Sequence, residues 1–381
     1  MKQWSSTRSH VGASSLDRQS LQNAYLQPRL PQLNVLRGVA VLFVILQHTD
    51  SGAWAHRIGW TGVDLFFVIS GFLVAGLLLK EKAANGIVDI RRFFLRRALR
   101  IYPAFWALIA VTTLALWLSH EHVRMSALVC ELFFVQNYGP GLWAHTWSLA
   151  VEEHFYLGLA FVFWLWRRPF LGSEKNIVRL FAWMLIGLVA ARLCTAWLIP
   201  WRFKATLWGT HVRGEALVFG SLLAYLHLKY QPLMKALVLR YLRLLCGAAM
   251  LLLLSVYSQD WDSLYVRTVG VSALSLGYGI LMLAYLYAGR AGGRVLEGLG
   301  SVGRYSYGIY LWHPVVQRFG LKPLELHGWA PPGAAQNLPL VLLCGIPTGI
   351  LMTWLLERPV LLWRERRYPP IAMHPLSLPL S

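Results

Sequence analysis

The sequence predicts an all-α, polytopic integral membrane bundle of about ten transmembrane helices, and three observations predict it. First, 56% of the 381 residues are hydrophobic and only 14% are charged, with a mean hydropathy of +0.48; soluble domains carry about 25% charged residues. Second, apolar runs of about twenty residues, long enough to cross about 30 Å of hydrocarbon, follow one another along the chain. Third, the basic residues gather in short clusters between those runs. The formal charge of +19 would suit nucleic acid if the cations formed one groove, but interspersed clusters fit positive-inside anchoring. Membrane lipid is therefore an expected partner and nucleic acid is not. The 18 Trp and 16 Tyr supply interfacial belts. Cys130, Cys194, Cys246 and Cys344 stand singly, so neither a metal site nor a disulfide framework is expected.

Residues 1–31 are polar and basic, with no apolar run suited to a secretory signal, and read as a cytoplasmic tail. Residues 32–362 form the membrane domain and 363–381 a second cytoplasmic tail. The spans fall near 33–50, 61–79, 101–119, 147–166, 177–199, 211–229, 236–256, 264–288, 300–320 and 336–356. A cytoplasmic amino terminus puts the basic stretches Lys80–Arg100, Arg167–Lys175, His227–Lys235, Arg290–Arg294 and Arg358–Arg367 inside, and both termini are then cytoplasmic. A full crossing at 125–136 would invert everything after it, so this stretch reads as a short re-entrant or interfacial helix.

This topology sorts the polar residues by depth. On the first span Arg37 and His48 are eleven residues apart, which places them on one face and roughly 16 Å apart along the axis. Ionisable groups at such depth mark function, although a snorkelling Arg with an interfacial His is an even alternative on this segment alone. On the second span Asp64 lies near the outer end and Ser70 near the middle. On the fourth, Ser148, Glu152 and Tyr156 follow at i, i+4 and i+8 and share a face, while Glu153 points away. Glu152 and His48 then sit at comparable depth, an acid and a base on different helices. On the inner side, Arg91, Arg92, Arg96, Arg97 and Arg100 form an amphipathic surface helix. It suits either anionic lipid or a phosphorylated ligand, with Arg97 and Arg100 the preferred pair. Ser306, Tyr310 and His313 share a face of the ninth span, where His313 reads equally as a core histidine. Arg213 and Glu215 read as an interfacial pair, with a part in acceptor binding as the alternative. Gly298, Gly300 and Gly303 spell GxGxxG, but no strand precedes them and a dinucleotide reading fails.

The strings RGVAVLFVILQH, GVDLFFVISGFL, RRALRIYP, WSLAVEEHFYL, YSYGIYLWHP and LERP, in this order over residues 30 to 362, resemble the successive landmarks of the membrane acyltransferase family 3. That resemblance implies an enzyme of the bacterial inner membrane that moves an acyl group, usually acetyl, from cytoplasmic acetyl-CoA to a hydroxyl of a glycan, lipid-linked sugar or related acceptor. It places the family histidine at His48 and its arginine at Arg37, the donor-binding arginines at Arg97 and Arg100, and the motif glutamate at Glu152. Asp64, Ser70, Trp147, Ser148, Tyr156, Tyr310 and His313 are then candidates for substrate contacts. His154 departs from the family's usual glutamine, which bears on acceptor fit. Acetyl-CoA enters as co-substrate, with no bound cofactor and no metal.

The physical chemistry agrees with that implication. A thioester is already activated, so the protein has to deprotonate a hydroxyl, hold it against the carbonyl and stabilise an oxyanion. A neutral imidazole is a natural base near pH 7, which makes His48 the candidate, with Glu152 orienting it and Asp64 as the alternative partner. Direct transfer and an acyl-His48 intermediate both fit. Held by Arg97 and Arg100, a cytoplasmic acyl-CoA would thread its long arm towards His48. The rival from another class is a proton-coupled transporter or lipid-linked glycan flippase, with His48, Asp64 and Glu152 as a relay; the duplicated halves common in transporters are not visible in the sequence.

Overall fold

A computed structural model describes residues 30–166, 174–200, 204–289 and 292–369, among which no β-strand occurs. The α-helices run in order: α1 Pro31–Gln47, α2 Ala53–Gly59, α3 Gly62–Asn85, α4 Ile90–Leu118, α5 Met125–Leu132, α6 Trp147–Leu165, α7 Glu174–Leu198, α8 Thr210–Arg213, α9 Glu215–Lys229, α10 Gln231–Arg240, α11 Leu242–Tyr257, α12 Val271–Ala288, α13 Arg294–Arg304, α14 Ser306–Val315, α15 Lys322–Leu326, α16 Leu338–Met352 and α17 Arg358–Arg367. Wide helical turns at Val266–Gly270, Val316–Leu321 and Thr353–Glu357 join several of them end to end.

Each of the ten expected windows holds helix, but among the described residues six segments are long and apolar enough to cross a membrane, or seven if α10 and α11, bent by 81°, count as one. The chain is a multi-pass membrane protein. The stretch 51–60, between the first two expected spans, is largely α2, which with α3 forms a 33-residue apolar segment. The eight residues of α5 reach only about 12 Å, too short to cross. The amino-terminal tail to residue 29 lies outside the described residues.

The arginine-rich stretch is not a separate surface helix. Asp89 caps α4 by accepting a hydrogen bond from the Arg92 backbone N–H at 3.0 Å, so the arginines occupy the first turns of a 29-residue helix. At about 1.5 Å per residue that helix exceeds the hydrocarbon thickness, which leaves those turns and their charges beyond it.

Small residues set the spacing of the central helices. A Cβ on Gly303 would stand 1.8 Å from the Asn34 carbonyl oxygen, and one on Gly71 2.0 Å from that of Leu217. Only glycine permits these approaches of α13 to α1 and of α3 to α9. Of the GxGxxG run, Gly300 and Gly303 thus face the first helix, while Gly298 has open space around its Cβ position.

Candidate active site

A cavity of about 840 Å³ lies among α1, α3, α4, α6, α14 and α17, within the usual size of a small-molecule site. One end is basic, with Arg92, Arg96, Arg97, Arg100 and Arg364; the lining continues past Arg37 and Glu152 to Ser70, Tyr156, Ser148 and Tyr310. The cavity therefore gathers eight of the twelve predicted site residues. His48, Asp64, Trp147 and His313 lie outside its lining.

The shared face predicted for α6 is present and fully used. Tyr156 donates its hydroxyl to Glu152 at 2.9 Å and lies 3.1 Å from the Ser70 hydroxyl, while the Arg97 guanidinium sits 5.3 Å from the centre of the Tyr156 ring. Arg97 and Arg37 supply the positive field around the Glu152 carboxylate. Glu153, as expected, turns away and accepts a hydrogen bond from Tyr102 at 2.9 Å. At the other end of the face, Tyr310 donates to the His145 carbonyl. Since a phenol has one proton to give, the Ser148 hydroxyl, 2.6 Å away, donates to Tyr310.

The expected pairing of His48 with Glu152 does not form. The partners of His48 are the Val44 carbonyl, 2.8 Å from Nδ1, and His313, whose Nε2 is 3.4 Å from the same nitrogen. The last turn of α1 leaves carbonyls without backbone donors, and the His48 ring, placed as its C-cap, satisfies one of them. Gln317 donates to the His48 carbonyl at 2.7 Å and fixes the backbone on that side. His313 is fully buried on α14, with its ring centre 5.1 Å from that of His48 and 5.7 Å from that of His145. Three imidazoles therefore cluster beyond the Tyr310 end of the cavity.

Asp64 is likewise not a partner of His48. It is completely buried at the start of α3, and its carboxylate accepts from the Arg213 guanidinium at 2.7 Å. That guanidinium lies between Trp60 and Trp147, 5.1 and 5.3 Å from their ring centres, and Trp147 stacks on Trp208. Trp147 is thus part of a buried cation–π assembly instead of the cavity wall. Arg213 and Glu215 do not pair with each other, because Glu215 accepts from Arg192. His154 lies away from the cavity lining, 2.7 Å from the Thr210 hydroxyl.

Several contributors were not singled out by the sequence. Glu357, in the LERP string, is held by Thr353 at 2.8 Å and shares the fields of Arg100 and Arg37. Glu365 accepts from Arg96 at 2.9 Å and also from Arg364, so the end of α17 from residue 363, expected to lie in the tail, closes one wall of the cavity. His145 lies two residues before the first residue of the WSLAVEEHFYL string. Its loop is pinned by Glu131 of α5, which accepts from the Leu142 N–H at 2.9 Å, the Trp143 N–H at 3.2 Å and the Thr146 hydroxyl at 2.9 Å. Burial pushes the Glu131 carboxyl up to about 7, against those hydrogen bonds.

A family model described as an acyltransferase domain matches residues 30–358. The chain is 26% identical over 326 residues to the peptidoglycan O-acetyltransferase OatA of Listeria monocytogenes, covering 77% of this chain and 50% of that protein. It is 28% identical over 328 residues to the O-acetyltransferase OatA of Staphylococcus aureus, covering 79% and 53%. The chain spans about half the length of these relatives. No solved structure matches it. The chain belongs to the membrane acyltransferase family 3, the acyltransferase domain family of its O-acetyltransferase relatives.

Proposed function

We propose that this protein transfers an acyl group, by preference acetyl, from cytoplasmic acyl-CoA to a hydroxyl of a cell-surface glycan or lipid-linked sugar, at a bacterial inner membrane that it crosses ten times with both ends in the cytoplasm. The observation that carries this reading is the single cavity that joins Arg97 and Arg100 to Ser148 and Tyr310, beyond which stand His313 and His48. Its basic end suits the phosphates of CoA, since guanidinium forks match phosphate oxygens. Its apolar length, with Phe66, Phe72 and Leu73 among the lining, suits a flexible arm.

In this reading His48 takes the proton of the acceptor hydroxyl, the oxygen attacks the thioester carbonyl, and the carbon–sulfur bond breaks. The departing thiolate takes the proton back from the imidazolium, so atoms and charge balance. Glu152 offsets the charge of Arg97 and Arg37 midway along the cavity, a role separate from the base. The glycan class rests on the names of the relatives, one of which acts on peptidoglycan.

The test is transfer of label from radiolabelled acetyl-CoA in membrane vesicles, comparing wild type with His48→Ala at equal expression and recovering label from glycan and lipid fractions. Label that appears with wild type alone supports an acyltransferase using His48. No transfer by either protein, with other acyl donors tried, favours the transporter reading.

A further inference from the structure

We propose that His313 is the positioning residue for His48, with backbone carbonyls fixing the two imidazoles in complementary tautomers, so that the base is oriented by a neutral histidine and not by a carboxylate. The inference rests on the reading of His48 as base.

The argument begins with acceptors that have no proton to give. His48 Nδ1 lies 2.8 Å from the Val44 carbonyl oxygen, and a carbonyl only accepts, so this nitrogen carries the hydrogen. His313 Nδ1 lies 2.9 Å from the Tyr310 oxygen and 3.1 Å from that of Ile309, and the same logic protonates it there. Its Nε2 is therefore a bare lone pair, and that lone pair faces His48 Nδ1 at 3.4 Å. The His48 Nδ1–H is shared between Val44 at short range and His313 at longer range. His48 Nε2, the nitrogen without a partner among the described residues, is the one left basic.

The sequence explains why these carbonyls are available. Val44 belongs to the last turn of α1, where intrahelical donors run out, and the backbone N–H of His48 goes to Ile45 instead. In α14 the residue four beyond Tyr310 is Pro314, which has no N–H to give the Tyr310 carbonyl. His313, the residue before that proline, fills the gap with its own ring. The His–Pro pair in YSYGIYLWHP is thus a device that presets an imidazole's tautomer. When His48 takes up the acceptor's proton on Nε2, the resulting cation has the Val44 carbonyl and the His313 lone pair ready on its other nitrogen.

Two amides separate the two ends of His313, because asparagine places a group near the Nδ1 position and glutamine one near the Nε2 position. His313→Asn keeps a donor for the Tyr310 carbonyl and removes the group facing His48; the expected kcat falls about 10- to 100-fold with donor and acceptor KM unchanged. His313→Gln offers its amide oxygen to His48 and is expected to stay within about fivefold of wild type. A purely structural role reverses this order, so Asn equal to wild type, or Gln no better than Asn, overturns the proposal. A second readout needs no turnover. Multiple-bond ¹H–¹⁵N spectra of protein labelled at histidine nitrogen, in nanodiscs, are expected to show His48 and His313 both protonated at Nδ1, assigned by loss of each signal in its own variant. A wild-type spectrum with His48 protonated at Nε2 refutes the assignment. Undiminished transfer by His48→Ala would instead sink the base reading itself, whatever the spectra show.

Discussion

Removing Arg213 should leave an uncompensated carboxylate in the middle of the bundle. Asp64 and Arg213 are 0% and 1% exposed and 2.7 Å apart, and one further Asp64 oxygen and two Arg213 nitrogens are buried without hydrogen-bond partners among the described residues. Taking one member from such a pair costs about 3–5 kcal/mol, because the survivor keeps its desolvation penalty and loses its counter-charge. That corresponds to about two to four decades in the folding equilibrium. Arg213→Met and Asp64→Leu alone should each fall in this range. The double variant should lie within about 2 kcal/mol of wild type, the residue being the lost cation–π contact with Trp60 and Trp147. The assay is reversible unfolding in mixed detergent–SDS micelles followed by far-UV circular dichroism, run as a double-mutant cycle. A coupling energy under about 0.5 kcal/mol would mean that the two groups act independently and would refute the pair. Transfer by the folded double variant should stay within about threefold of wild type; a complete loss would return Asp64 to the substrate site.

Three other outcomes follow from the geometry. Arg97→Ala should raise the acyl-CoA KM about 10- to 100-fold, the worth of a charge-assisted hydrogen bond, whereas Arg91→Ala, exposed and outside the cavity lining, should not; equal effects in initial-rate kinetics would remove Arg97 from the donor site. Gly303→Val drives a side chain into the Asn34 carbonyl and should cost at least about 2 kcal/mol in the same unfolding assay, while Gly298→Val, with nothing within 4 Å of its Cβ position, should be near neutral. The Glu131 carboxyl, raised to about 7 by burial, holds its proton in the folded protein over a range where the unfolded chain has already lost it. Stability should therefore fall as pH rises from about 4.5 to 7, by at most about 1.4 kcal/mol per unit. In Glu131→Gln this part of the slope should vanish, and an unchanged pH profile would show that Glu131 is not its source.

How much of this was legible in the sequence depends on the range of the interaction. The face shared by Ser148, Glu152 and Tyr156 was readable because helical spacing is local, and so was the placing of Arg97 beside Arg100. Partners were not. Asp64 finds Arg213 across 149 positions, and His48 finds His313 across 265, distances over which spacing carries no information. Depth led the inference astray for Glu152, because two groups at one level of a bundle can face different interhelical spaces. The extent of α4 was misjudged for another reason: charge suggested a surface helix, while the Asp89 cap, itself a sequence signal, marks the true start. The signal for His313 lay not in its own identity but in the proline after it.

The cavity draws its walls from both extremes of the described fold, with Leu30 and Arg37 from just before and within the first helix and Arg364, Glu365 and Pro369 from within and just after the last. A ribosome-bound chain that has emerged only as far as α16 lacks one wall and the groups that engage Arg96: the Glu365 carboxylate and Tyr368 carbonyl on its guanidinium, and the Arg364 guanidinium on its carbonyl. Membrane insertion can therefore proceed helix by helix without an assembled ligand chamber. The lining is complete only when α17 packs against α4, and ligand affinity during biosynthesis should appear at that chain length and no earlier.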